Sequence, residues 1–323
     1  MRRRFLATGA VVALVAGGVV VWLAVRGAVL PFVAGDRCEA TVQGTTVRLD
    51  PEQATHAARM AAISVQRGLP ARAATIAIAT AYQESELYNL DYGDRDSLGL
   101  FQQRPSQGWG TPEQIMDPDH AINAFYDALA QVDGFETMRV TAAAQEVQRS
   151  GYPEAYADHE ADARVLASAL TGQSWQAFAC TLTDEPESGS PRLDEEGLTR
   201  RAAAVREDLQ AAFGTQSLGG FAPGGVRDGH MEGSAHYDGR AVDVFFRPVT
   251  EESRERGWAM AHYLVAQAAR LDIRTVIYDG RIWTAGWRSG DGWRRYSPDT
   301  SGESAETAAI LEHRDHVHVD VYE

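Results

Sequence analysis

Two stretches of this 323-residue chain gather side chains of the kinds that do chemistry. The first centres on Glu84, in AYQESELYNL, and is followed by SLGLFQQRP from Ser97 to Pro105. Cleaving a glycosidic bond needs an acid that is still protonated near neutral pH. A glutamate at a helix end, packed against apolar side chains, meets that need because desolvation raises its pKa. The second stretch is Ser234-Ala235-His236-Tyr237-Asp238-Gly239-Arg240-Ala241-Val242-Asp243, of the form S-x-H-x-x-G-x-A-x-D. It is joined by Asp315-His316-Val317-His318 near the end of the chain. Histidine and aspartate are residue types that hold divalent metals.

Glu84-Ser85 and Gly99-Leu100-Phe101-Gln102 together resemble the lysozyme-like lytic transglycosylases over about residues 50–175. That resemblance implies a helical lysozyme-like fold with Glu84 as acid and then base, and with Gly99 and Gln102 lining a sugar cleft. The family's later tyrosine-and-asparagine signature is replaced here by AAQEVQRSGYPEAY. A hydrolytic variant would want a second carboxylate, for which Asp94 and Asp96 are the candidates. The alternative is a solvated Glu84 and a GLFQ loop that only packs.

The second set resembles the D-alanyl-D-alanine carboxypeptidase and L-alanyl-D-glutamate peptidase family of zinc enzymes, relatives of the hedgehog signalling domains. Carried over position by position, the resemblance implies His236, Asp243 and His318 as zinc ligands, Ser234 at the substrate and Asp315 as the base. Two imidazoles, one carboxylate and an open fourth position suit catalytic zinc, and zinc would activate a water toward a peptide carbonyl. His316 is the rival base, Arg227 is a candidate for stabilising the oxyanion, and His230 and His313 read as surface histidines. Satisfied core histidines in a small β domain, or a zinc site without catalysis, are the other readings.

These residues need elements to position them. Asp50-Pro51 supplies a helix start and Gly68 its end; Pro70 opens the helix that carries Glu84. Asp117-Pro118 and Pro153 open two more helices. In the second half, Leu198, Val205, Leu209 and Phe213 fall on one helical face. AVDVFF reads as a strand, Glu251–Leu271 as a helix, and TVIY-DG-RIWT as a hairpin closed by Asp279-Gly280. In HVHVDVY, His316, His318 and Asp320 share one face and the valines the other. His236 and Asp243 are an odd number of residues apart, and Gly239 permits the turn that would bring both to one metal.

Composition bounds the rest. With 44% hydrophobic and 23% charged residues the chain is globular, not disordered. A net charge of −15, with every base an arginine, leaves no basic stripe and argues against a nucleic-acid partner. Phe5–Val25 is 21 residues without a charge, behind three arginines. It reads as an uncleaved single-pass anchor with the N-terminus cytoplasmic and the remainder outside, a signal peptide being the alternative. One span cannot line a translocation path. An oxidising exterior makes a Cys38–Cys180 disulfide plausible, and free thiols are the alternative.

The expected fold class is therefore a membrane-anchored, two-domain chain. Residues 1–31 form the tip and anchor, 38–180 a helical lysozyme-like domain, 181–196 an acidic linker, and 197–323 an α+β zinc-peptidase-like domain. Both sites point at peptidoglycan, whose glycan strands and stem peptides they would cut. The expected function is a membrane-tethered, zinc-dependent peptidoglycan hydrolase. The rivals are a wall-binding scaffold without chemistry and an exterior metal-binding module of a sensor or uptake system.

Overall fold

A computed structural model describes residues 35–323. Strands β1 (Arg37–Val42) and β2 (Thr45–Leu49) lead into helices α1 (Pro51–Gln66) and α2 (Ala71–Ser85). Then follow α3 (Pro118–Leu129), α4 (Val140–Gln148), α5 (Glu160–Leu170) and strand β3 (Phe178–Thr181). Caps set several of these starts. Asp50 accepts from the Gln53 amide while Gln53 answers in a capping box, with Pro51 in the first turn. Asp117 accepts from the amides of Asp119 and His120. The strands β2-β1-β3 form a small antiparallel sheet, in which Cys38 lies directly opposite Cys180 and is bonded to it. The expected disulfide is present.

The second half contributes α6 (Arg200–Phe213), β4 (Leu218–Gly219), β5 (Ala241–Phe245), α7 (Glu251–Ala266), β6 (Ile273–Tyr278), β7 (Arg281–Thr284), β8 (Arg294–Arg295), α8 (Ala305–Leu311) and β9 (His316–Val321). Six of these strands form one sheet in the order β4-β5-β9-β6-β7-β8. The β6–β7 hairpin closes as expected on Asp279-Gly280, both with positive φ, the conformation a two-residue turn needs to match strand twist. Val242, Val244, Val317, Val319, Val276 and Trp283 are buried; α7 packs against β6 and β9.

Two expectations need correction. The first is the membrane-anchored fold class and its single-pass localisation. Among the described residues no helix is long and apolar enough to cross a membrane. The longest, α1 and α7, have 16 residues each, about 24 Å at 1.5 Å per residue against a hydrocarbon core of about 30 Å. The apolar run at 5–25 lies outside the described residues. The second is the division into two domains, because Asp36–Glu323 is one compact unit with one continuous core.

Polar contacts bind its halves. The His262 ring on α7 bonds the Ala169 carbonyl at the end of α5 at 2.8 Å. Arg59 on α1 pairs with Asp208 on α6 at 3.2 Å and donates to the Tyr263 hydroxyl on α7. The Trp283 and Trp293 indoles donate to the carbonyls of Cys180 and Phe178 at 2.9 and 2.8 Å. The acidic stretch 183–192 has no regular structure, yet it does not separate two bodies.

Candidate active site

The sheet has a wet face as well as a buried one, and strand register aligns its chemistry. Asp243 on β5 pairs with His318 on β9, His318 with Ile277 on β6, Ile277 with Ile282 on β7, and Ile282 with Arg294 on β8. Side chains at paired positions share a face, so this row runs across the floor of one cavity of about 1130 Å³.

At one end of that row three donor atoms converge. His236 Nε2 lies 3.1 Å from His318 Nδ1 and 3.2 Å from Asp243 Oδ1, and His318 Nδ1 lies 3.0 Å from the same Oδ1. Each outer ring nitrogen has a partner of its own. His236 Nδ1 is 2.7 Å from the Gly220 carbonyl, and His318 Nε2 is 3.4 Å from an Asp320 carboxylate oxygen. Both partners only accept, so each ring can keep a proton on its outer nitrogen while the inner one is given to a metal. Without a metal, the proton on His318 Nδ1 is shared with Asp243 Oδ1; a divalent cation would take that proton's place among the three atoms.

Tetrahedral zinc, with bonds of about 2.0–2.2 Å, sets neighbouring ligand atoms about 3.3–3.5 Å apart, close to what is seen. Burial opposes charge on both groups, but the two histidines outweigh it to hold Asp243 far below the usual carboxylate range. Likewise Asp243 and Asp320 outweigh it to push His318 up to about 9. The residues thus fit a divalent ion. Gly220 makes room for this: at φ +79° it is left-handed, and a Cβ there would sit 2.2 Å from His236 Cε1.

Asp315 and His316 differ in their contacts. Asp315 is buried just before β9, its carboxylate bonded by Arg247 Nε at 2.6 Å and by His316 Nδ1 at 2.7 Å. Burial would raise its pKa, but His316 and Arg247 outweigh that and hold it below the ordinary carboxylate value. His316 shares the His318 face and turns Nε2 inward, 4.0 Å from Asp243 Oδ1. The strand begins at His316, so Asp315 lies outside the alternating run and its orientation is set by its own contacts.

Ser234 lines the same cavity but caps the short helix Ala235–Asp238, its hydroxyl accepting from the His236 amide. Arg227 is exposed in the 221–234 loop and does not line the cavity. His230 and His313, read from sequence as surface residues, both line it. His230 stacks on His236 at 3.9 Å, and His313 lies 4.5 Å from His316 between ring centres. A ring nitrogen of His230 also comes within 4.8 Å of donor atoms of His236 and Asp243. The His236–Asp243–His318 set is the tighter of the two, with His230 stacked beside it.

Glu84 sits in the last turn of α2, half-buried, and accepts hydrogen bonds from Tyr156 Oη at 2.8 Å and Gln148 Nε2 at 3.2 Å. Burial raises its pKa, opposed by those two bonds. Ser85 Oγ donates to the Leu100 carbonyl at 2.8 Å, and Gln148 Nε2 donates to Phe101 O at 2.8 Å. The glutamate and the GLFQ loop are therefore joined. Gly99, at φ +74°, would drive a Cβ to 2.7 Å from the Ile115 carbonyl, so its role in packing the loop is direct. Gln102 turns its amide onto the Tyr92 carbonyl at 3.1 Å.

Neither candidate second carboxylate is bonded to Glu84: Asp94 is exposed, and Asp96 is taken up by Arg104 and the Ser106 amide at 2.7 and 2.9 Å. The partners that sequence reasoning missed, Gln148 and Tyr156, lie in the very stretch AAQEVQRSGYPEAY that departs from the expected signature.

Residues 194–308 match the family model described as "VldE, C-terminal domain". That match takes in His236 and Asp243 and ends before Asp315, His316 and His318. No curated protein matches the chain.

Proposed function

We propose that this chain is a zinc-dependent peptidase acting on the stem peptides of peptidoglycan, with a second, glycan-directed site at Glu84. The observation that carries the peptidase reading is the convergence of His236 Nε2, His318 Nδ1 and Asp243 Oδ1 at 3.0–3.2 Å with their outer nitrogens already bonded. These three residues would hold the metal. When bound, zinc supplies Lewis-acid polarisation of a peptide carbonyl.

The chain's own groups then handle the protons. His316 Nε2 takes the proton of the attacking water and returns it to the departing amine nitrogen. Asp315, bonded to His316 Nδ1 at 2.7 Å, fixes the tautomer and stabilises the imidazolium. Arg247 keeps Asp315 ionised and immobile through its bonds to the second carboxylate oxygen. The choice of peptidoglycan rests on the sequence resemblances at the two sites.

A specific observation favours the glycan-directed role for Glu84. Its carboxyl is bound by Tyr156 and Gln148 and is raised in pKa by burial, and no second carboxylate is bonded to it. That suits a single acid that protonates the leaving oxygen and then serves as base.

Digestion of purified peptidoglycan by the zinc-loaded chain, read by mass spectrometry, tests both. Shortened or released stem peptides are expected, together with anhydro-sugar ends. Wall material that is bound but left uncut would replace the enzyme with a binding scaffold.

A further inference from the structure

The far end of the cavity carries a cation that the proposed chemistry does not use. Arg294 on β8 lies in the same cross-sheet row as Asp243 and His318, three strands from His318. At about 4.8 Å per strand the two Cα atoms are about 14 Å apart. Its Nη2 donates to Thr284 Oγ1 at 2.7 Å, while its Nε is buried without a partner. Among the described residues no carboxylate lies within ion-pair distance of it.

Two of the cavity's other arginines differ in being paired, and the third, Arg274, is exposed where Arg294 is partly buried. Arg240 is paired with Asp238 and the Val321 carbonyl, and Arg288 with Asp291 at 3.5 Å. Burial and the neighbouring Arg288 lower the pKa of Arg294, outweighing the pull of Asp291, which is not bonded to it. Trp287, 86% exposed and stacked under the Arg288 guanidinium, also lines the cavity. A partly buried guanidinium without an ion-pair partner is costly to keep, and an incoming planar anion that meets its Nη groups offsets that cost through charge-assisted bonds.

We infer that Arg294, with Arg288 and Trp287 at its edge, forms a subsite that binds a carboxylate of the peptide substrate and so selects acidic over amidated peptides. The inference rests on the peptidase reading for the identity of the ligand as a stem peptide. Two carboxylates of such a peptide have the required chemistry: the C-terminal one and the free one of an internal D-glutamyl residue.

Calorimetric titration of the full chain, with and without zinc, tests it using three probes. These are a pentapeptide with an internal γ-linked D-glutamyl residue and a D-alanyl-D-alanine end, its C-terminal amide, and its D-isoglutaminyl analogue. One amide should bind about tenfold or more weaker than the acid, as expected for a charge-assisted bond, and which one identifies the carboxylate held. In Arg294→Gln that difference should vanish while zinc stoichiometry stays unchanged; Arg294→Lys should restore part of it.

Equal binding of all three peptides to the unaltered chain, or an undiminished difference in Arg294→Gln, overturns the subsite. The comparison within the unaltered chain needs no variant to fold. If the acid is preferred but never cut, the peptidase reading fails and the subsite stands. If peptides are cut with no such preference, the subsite fails and the peptidase stands.

Discussion

His262 offers a quantitative test of how the two halves of the molecule are held together. It lies on α7, fully buried, with Nδ1 bonded to the Ala169 carbonyl at 2.8 Å and Nε2 without a partner. Phe178, Trp258 and Trp293 surround the ring. Burial, partly offset by the bond to Ala169, lowers its pKa from 6.5 to about 4. The folded state therefore keeps a neutral imidazole that the unfolded chain protonates more readily.

The sign follows from proton counting. Stability from this group is fully present above pH 6.5 and is lost as pH falls through 6.5 toward 4, because the unfolded state binds the extra proton. The full loss is about 3 kcal/mol, of which roughly 2 kcal/mol is gone by pH 5. Urea unfolding at pH 7 and pH 5 measures it, comparing the unaltered chain with His262→Asn, whose side-chain amide can still donate to Ala169. The variant should be less stable at pH 7, because it leaves a void among the aromatic rings, yet lose about 2 kcal/mol less on going to pH 5. Other titrating groups are common to both proteins and cancel. An identical pH loss in the two would show that His262 is not held neutral in the fold.

Other outcomes follow from the sites. Gly220→Ala should abolish stoichiometric zinc, measured by elemental analysis after dialysis, because its Cβ would sit 2.2 Å from His236 Cε1. His316→Gln should retain zinc but cut stem-peptide cleavage by about 10²–10⁴-fold, the usual contribution of a general base; normal turnover would remove His316 from that role. Glu84→Gln should remove glycan cleavage by a similar factor of about 10²–10⁴ and leave peptide cleavage intact, with both products followed by mass spectrometry in one digest. Replacing Cys38 and Cys180 with serine opens a loop with 142 residues of separation. It should cost about 2–5 kcal/mol in chemical unfolding, and an unchanged midpoint would refute a stabilising bond.

Local features were readable because short-range physics sets them. Asp50-Pro51 and Asp117-Pro118 start helices where their side chains and ring geometry demand it, and Asp279-Gly280 closes a hairpin because both residues tolerate positive φ. Alternation in HVHVDVY placed His316, His318 and Asp320 on one face, and the register confirms their common exposure to the cavity. The motif spacing also drew attention to His236 and Asp243, which the fold brings within 3.2 Å of each other.

Whatever depends on how distant segments meet had no such signature. His230 and His313 read as surface residues because each sits in an irregular segment, and only the packing of the loops around the sheet brings them beside the other histidines. The sequence favoured Asp315 over His316 as the base, and nothing in it showed that Arg247, 68 residues away, would be bonded to that aspartate. Tyr156 and Gln148 reach Glu84 only because α4 and the turn after it fold back over the end of α2. The acidic stretch after Cys180 looked like a domain linker by composition, but one core runs beneath it. Sequence alone thus determined which residues could carry charge, protons or a metal, and how each short segment would coil or alternate. Tertiary packing decided which of them meet, because burial and hydrogen bonding between elements depend on separations that no local pattern encodes.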